Sequence, residues 1–121
     1  MTSANDNTPA TKFPALKELR EFDLEIDFVN RDELEMEYHS RGEFPTAEIE
    51  RRTAEGREEV KGEAALEEIE ELIQQISLHS ELLPEEVIDK ILAYLNISKE
   101  EVKSLELEVD FKKGDKIKGD I

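Results

Sequence analysis

The 121-residue chain has no cysteine, no long apolar run and half as many basic residues as acidic ones. Without cysteine there is no disulfide framework, no thiolate nucleophile and no Cys-ligated metal, and the redox compartment stays open. No run approaches the ~18–20 apolar residues that a membrane span needs, and the N-terminus lacks a basic region followed by a hydrophobic one. Neither a spanning segment nor an export signal is read. The five glycines stand singly at turns, so no loop cradles a phosphate. The two histidines, His39 and His79, are 40 positions apart and outside any ligand-spaced motif, and there is no Gly-x-Ser-x-Gly elbow.

What is abundant is negative charge. Thirty-two acids against 16 bases give a net charge of −16, well outside the ~2–8 usual for a small domain. Nucleic acid and anionic lipid are excluded as partners, because both need clustered Lys or Arg. A basic protein surface, a polycation or a metal ion is the attractor this charge selects. Paired carboxylates serve as acid and base in glycosidases, but among 32 acids a pair has no specificity, and a two-layer fold of this size offers little cleft. No enzymatic activity and no cofactor are expected.

With 37% hydrophobic and 40% charged residues, the core must come from regularly spaced apolar positions. Residues 1–20 open small and polar, which predicts a disordered arm or tether, with Leu16 and Leu19 allowing one helical turn. Residues 21–121 are expected to form a single domain. From Phe22 the period is two: Phe22, Leu24, Ile26 and Phe28 on one face, Asp23, Glu25 and Asp27 on the other. It resumes at Leu34, Met36 and Tyr38, between Glu33, Glu35 and Glu37. A three-residue loop, Val29-Asn30-Arg31, closes on Phe28 and Asp32 and pairs Ile26 with Leu34, Leu24 with Met36 and Phe22 with Tyr38.

"FPTAEIERRT" reads as a third strand with Ala47 and Ile49 inward, and "AEGREEVKG" as a mobile charged loop between Gly56 and Gly62. Helical spacing follows. Ala65, Leu66, Ile69, Leu72, Ile73 and Ile76 form one stripe, with Glu63, Glu67, Glu68, Glu70 and Glu71 on the remaining face. A second helix starts at Pro84, buries Val87, Ile88, Ile91, Leu92 and Leu95, and stops at a left-handed Asn96. Ser98 to Glu101 matches a capping box. "NIS" at Asn96 matches a glycosylation acceptor, but the helix end and cap already explain both polar residues.

The last strands repeat the first. "LEIDF" at Leu24–Phe28 returns 83 positions later as "LEVDF" at Leu107–Phe111. After the Lys112-Lys113-Gly114 loop, Ile117 falls where Leu34 falls in the first copy, and Gly114 takes the position that wants positive φ. The expected fold class is α+β: an antiparallel sheet of four to five strands, two similar hairpins plus one extra strand, with two helices packed on one face in the order β-β-β-α-α-β-β. This layout, carried by "FDLEIDFVNRDELEMEY", "GEAALEEIEELI" and "LELEVDFKKGDKIK", resembles the YusW-like family of small proteins from Bacillus-type bacteria. The resemblance implies a secreted or lipid-anchored, extracytoplasmic cell-envelope protein without a catalytic signature. This chain departs from that pattern in having no signal segment and no lipid-accepting cysteine, and its polar arm would fit a tether.

Folding explains the apolar positions of both hairpins and leaves the acids between them unexplained. Glu25, Asp27, Glu108 and Asp110 are therefore the candidate partner-binding residues, with Glu106 in the same row. Asp23, Glu25, Asp27, Glu33, Glu35 and Glu37 are the candidates for diffuse cation binding; there is no Asp-x-Asp-x-Asp-Gly loop for tight calcium. Lys116, Lys118, Arg51 and Arg52 are placed to relieve the acidic face. The leading expectation is a non-catalytic envelope domain, monomeric, contacting a protein or basic polymer through this face or a sheet edge. The alternatives are a low-affinity calcium binder and an acidic cytoplasmic adaptor or inhibitor.

Overall fold

Alternation builds the sheet. The structure, a computed structural model, describes residues 12–41 and 44–121, and the expectation of a disordered arm therefore lies, for residues 1–11, outside the described residues. The strands are β1 (Leu19–Phe28), β2 (Glu33–Arg41), β3 (Phe44–Thr53), β4 (Gly56–Lys61), β5 (Val102–Phe111) and β6 (Lys116–Asp120), with α1 (Glu63–Gln75) and α2 (Pro84–Leu95) between β4 and β5. All pairings are antiparallel, in the spatial order β4-β3-β2-β1-β5-β6. Phe22, Leu24 and Ile26 pair with Tyr38, Met36 and Leu34, as the loop parity requires. These inward rows merge with the stripes of both helices into one core.

The two hairpins share more than a pattern. Adding 83 to both members of a β1–β2 pair yields a β5–β6 pair: Leu24↔Met36 becomes Leu107↔Gly119, and Ile26↔Leu34 becomes Val109↔Ile117. Both loops close alike, with Phe28 N–H on the Asp32 carbonyl and Phe111 N–H on that of Asp115, each at 2.9 Å. The left-handed position holds Arg31 (φ 79°) in one loop and Gly114 (φ 107°) in the other. The hairpins meet along β1 and β5, where Leu24 faces Leu107, flanked by Phe22↔Val109 and Ile26↔Leu105. This is the register of an approximate two-fold axis normal to the sheet through the Leu24–Leu107 pair. The strands that carry "LEIDF" and "LEVDF" thus run antiparallel at the centre of the molecule, and the two segments meet at Leu24–Leu107 and extend away from it in opposite directions.

Three expectations are corrected. The sheet has six strands, because the segment expected as a mobile loop is β4, paired from Thr53↔Gly56 to Glu48↔Lys61. It is an edge strand; only Val60 is partly buried against the core, and the charges elsewhere discourage edge-to-edge association. The folded region begins before residue 21, since Phe13, Leu16 and Leu19 are buried and a 3₁₀ turn spans Leu16–Glu18. Glu70, expected on the exposed face of α1, is buried at 6% exposure. Its carboxylate accepts the N–H groups of Ala15 and Leu16, both at 2.9 Å, and the Gln74 amide. The Tyr38 hydroxyl donates to the Leu16 carbonyl at 3.2 Å. Glu70 therefore ties the N-terminal segment onto α1 by satisfying the donors at the start of the 3₁₀ turn, which have no partner within it.

Helix ends follow their chemistry. Glu86 accepts the Leu83 N–H at 2.8 Å, and Glu101 accepts that of Ser98 at 3.2 Å. After α2, Asn96 is left-handed (φ 62°) and the Ile97 N–H reaches back to the Leu92 carbonyl at 2.9 Å. Ser77 takes the same conformation after α1 (φ 52°). α2 lies tight against the sheet at Gly119, where a Cβ would stand 2.9 Å from Pro84 Cβ.

Candidate functional site

The residues that alternate with the core form the outer face of the sheet. The register sorts them into transverse rows. The central row reads Glu59, Glu50, Glu35, Glu25, Glu106, Asp120 across all six strands, without a base. On one side lie Lys61, Glu48, Glu37, Asp23, Glu108 and Lys118; on the other Arg57, Arg52, Glu33, Asp27 and Ser104. Like charges directly opposite one another in a sheet are unfavourable. The face therefore stores repulsion.

The expected relief reaches one side only. Arg52 pairs with Glu33 at 3.2 Å and Glu50 at 3.5 Å, and Arg57 with Glu50 at 2.6 Å and Glu59 at 2.9 Å. Arg51 points to the opposite face and pairs with Glu68 of α1 at 2.9 Å. Lys118 and Lys116 lie in register with Glu108 and Asp110 but form no ion pair with them. Among the described residues, Asp23, Glu25, Asp27, Glu35, Glu37, Glu106, Glu108 and Asp110 have no ion-pair partner. Asp27 is instead held by the Ser104 hydroxyl at 3.2 Å.

Two carboxyls register the crowding. Partial burial, then the charges of Glu37 and Glu21 and, more weakly, Glu108, lift Asp23 from 3.8 to about 6, with His39 pulling the other way. Glu25 is also raised, by partial burial and then by a hydrogen bond and repulsion from Glu35, with Glu106 and Asp27 adding to it. A shallow depression of about 410 Å³ opens over this region, lined by Asp23, Glu25, Glu106, Glu108, Asp120 and Lys118 among others. Among the described residues no three His, Asp or Glu side chains are placed to hold one metal ion.

The antiparallel seam divides the acids proposed from sequence. Glu25 faces Glu106, and Asp23 faces Glu108, so these four are neighbours. Asp27 and Asp110 lie toward opposite ends of the seam, opposite Ser104 and Glu21 respectively. The compact centre is Asp23, Glu25, Glu35, Glu37, Glu106 and Glu108. Glu48, Glu50, Glu59 and Asp120 complete the rows and were not singled out by sequence, because only the order of strands across the sheet brings them alongside. His39 sits opposite Glu21, and His79 Nδ1 accepts the Glu81 N–H at 3.3 Å between the helices.

The approximate two-fold axis supplies a comparison inside the molecule. It carries Glu33 onto Lys116 and Glu35 onto Lys118, so the second hairpin builds the same geometry with lysines where the first has glutamates. Acid at these positions is not a requirement of the fold.

Comparison with known proteins places the pattern. The family model described as YusW-like protein matches residues 20–113, well over half of the chain and all of the central seam but Leu19. No curated protein and no solved structure matches.

Proposed function

The chain belongs to the YusW-like protein family, and on that premise we propose that it is a non-catalytic binding domain of the cell envelope whose acidic sheet face takes a Lys- or Arg-rich segment of a protein or basic polymer. One observation carries the reading: Glu35 stands where the equivalent hairpin has Lys118, opposite Glu25, in a row of carboxylates without a base. The acids keep a cost that a lysine would remove, and a basic partner removes it on binding. The field of a −16 chain steers such a partner toward the face, an effect that falls with ionic strength.

The calcium reading draws less support. Calcium takes six to eight oxygens from a loop that wraps it, and these carboxylates stand on extended strands with no three converging among the described residues. The envelope location rests on the family resemblance, and cell fractionation of the source organism tests it.

The binding experiment uses a fluorescent oligolysine peptide and anisotropy at low and high salt. Saturable, salt-sensitive binding is expected, weakened about tenfold by Glu35→Lys, as loss of one carboxylate and gain of a like charge implies. Absence of binding at low salt, or an unchanged affinity in Glu35→Lys, sinks the proposal.

A further inference from the structure

The end of the sheet beside the Val29-Asn30-Arg31 turn holds a pocket of about 310 Å³ between the strand ends and the C-terminus of α2. Its walls are apolar: Phe28 and Leu34 from the first hairpin, Leu95 from the last turn of α2, and Ile97. Ile97 reaches this wall because left-handed Asn96 turns the chain back and the Ile97 N–H bonds the Leu92 carbonyl. Leu34 is buried, whereas Phe28, Leu95 and Ile97 are only partly so. Three apolar side chains thus leave surface open toward one small space. The volume lies at the lower end for ligand sites and suits one large side chain.

The rim sets the charge of what enters. Arg51 is taken by Glu68, and Glu33 by Arg52. Asp32 accepts from the Asn30 amide at 3.1 Å but has no ion-pair partner among the described residues. A cation beside an apolar group complements this rim, and a carboxylate does not. A second cleft, of about 610 Å³, shares Phe28, Asp32 and Glu33 with the pocket and includes Asp27, so that three carboxylates stand against Arg31 and Lys103 on its wall. The acidic face and the pocket are therefore continuous around the end of the sheet.

We infer that this pocket is the anchor site for the basic partner of the acidic face, taking a single Phe or Leu side chain from a peptide segment in which Lys or Arg flank it. The inference rests on the binding role proposed above and adds sequence selectivity to a surface that otherwise reads only charge. Cations of the segment lie along Asp32 and Asp27, and the apolar side chain turns inward against Phe28, Leu95 and Ile97. Charge then sets the rate of encounter and the anchor sets the residence time.

Two short labelled peptides test it, one with lysines alone and one with a central Phe among the lysines, against the full chain, Thr53→Trp and Ile97→Ser. Thr53 is exposed on the pocket rim, so a Trp there fills the space from outside the core. The Phe peptide is expected to bind the unmodified chain at least tenfold more tightly than the lysine peptide, the scale of burying one large apolar side chain. Both variants are expected to lose that advantage while binding the lysine peptide as before, which also shows that they fold. Amide signals of Phe28 and Ile97 are expected to shift only with the Phe peptide. Equal affinities for the two peptides overturn the anchor and leave the acidic-face reading standing. An advantage that survives both variants overturns this pocket, and failure of both peptides to bind overturns both readings.

Discussion

At the scale of single residues, one carboxyl is crowded by like charge and another is held by hydrogen bonds. Asp23 has its pKa raised to about 6 from 3.8 by partial burial and by Glu37 and Glu21, so the folded chain holds a proton there that the unfolded chain releases. Its contribution to stability is fully present below about pH 3.8 and is lost as the pH rises through about 6. Glu25 is raised as well and adds in the same direction. Thermal melts are expected to give a higher midpoint at pH 5 than at pH 7.5. Asp23→Asn is expected to raise the midpoint at pH 7.5 and narrow the difference; an unchanged pH profile counts against this account. Glu70 is a buried acid whose oxygens are occupied by two backbone N–H groups and the Gln74 amide. Glu70→Gln keeps the shape but turns an NH₂ toward a donor, so a cost of ~1–3 kcal/mol is expected in urea unfolding, with faster proteolysis within residues 12–18.

At the scale of elements, the tightest constraint lies where α2 begins. An alanine at 119 would bring its Cβ to 2.9 Å from Pro84 Cβ and 3.3 Å from Ile88 Cδ1. The ring is rigid, so Gly119→Ala is expected to cost ~1–3 kcal/mol by overpacking, read from chemical unfolding. Met36, its two-fold counterpart in the first hairpin, is a large buried side chain. Elements with a periodic apolar row were legible in the sequence: the first hairpin to the residue pair, the second by its loop and its likeness to the first, both helical stripes, the Asn96 stop. β4 was not, because an edge strand with one partly buried residue carries no alternation to read. The N-terminal segment was masked by its polar composition, although Phe13, Leu16 and Leu19 were visible. Glu70 was hidden because its burial comes from a segment 54 positions away rather than from its own helix. The acids of the site were legible one strand at a time, and their neighbours were not, since the β1–β5 seam that aligns them is a pairing no local signal sets.

At the scale of the whole molecule, −16 is a standing repulsion that the core must overcome. Its outer face concentrates that repulsion between β2, β1 and β5. Added sodium chloride is expected to raise the melting temperature at pH 7.5, and Glu35→Lys, which copies the second hairpin, is expected to raise it at low salt and to flatten the salt dependence. A melting temperature that falls with salt would show that ion pairs such as Arg57–Glu50, and not repulsion, dominate.

The seam at Leu24–Leu107 also governs how the chain is made. A ribosome completes β1 through α2 before β5 exists, so the nascent chain carries β1 as an open edge, bearing apolar Leu24, Ile26 and Phe28, for as long as the remainder takes to emerge. Pairing of such distant segments is slow, and an unpaired edge is a template for aggregation. Asp23, Glu25 and Asp27 line that edge during the wait. The same carboxylates that strain the finished sheet keep one nascent chain from zipping onto another.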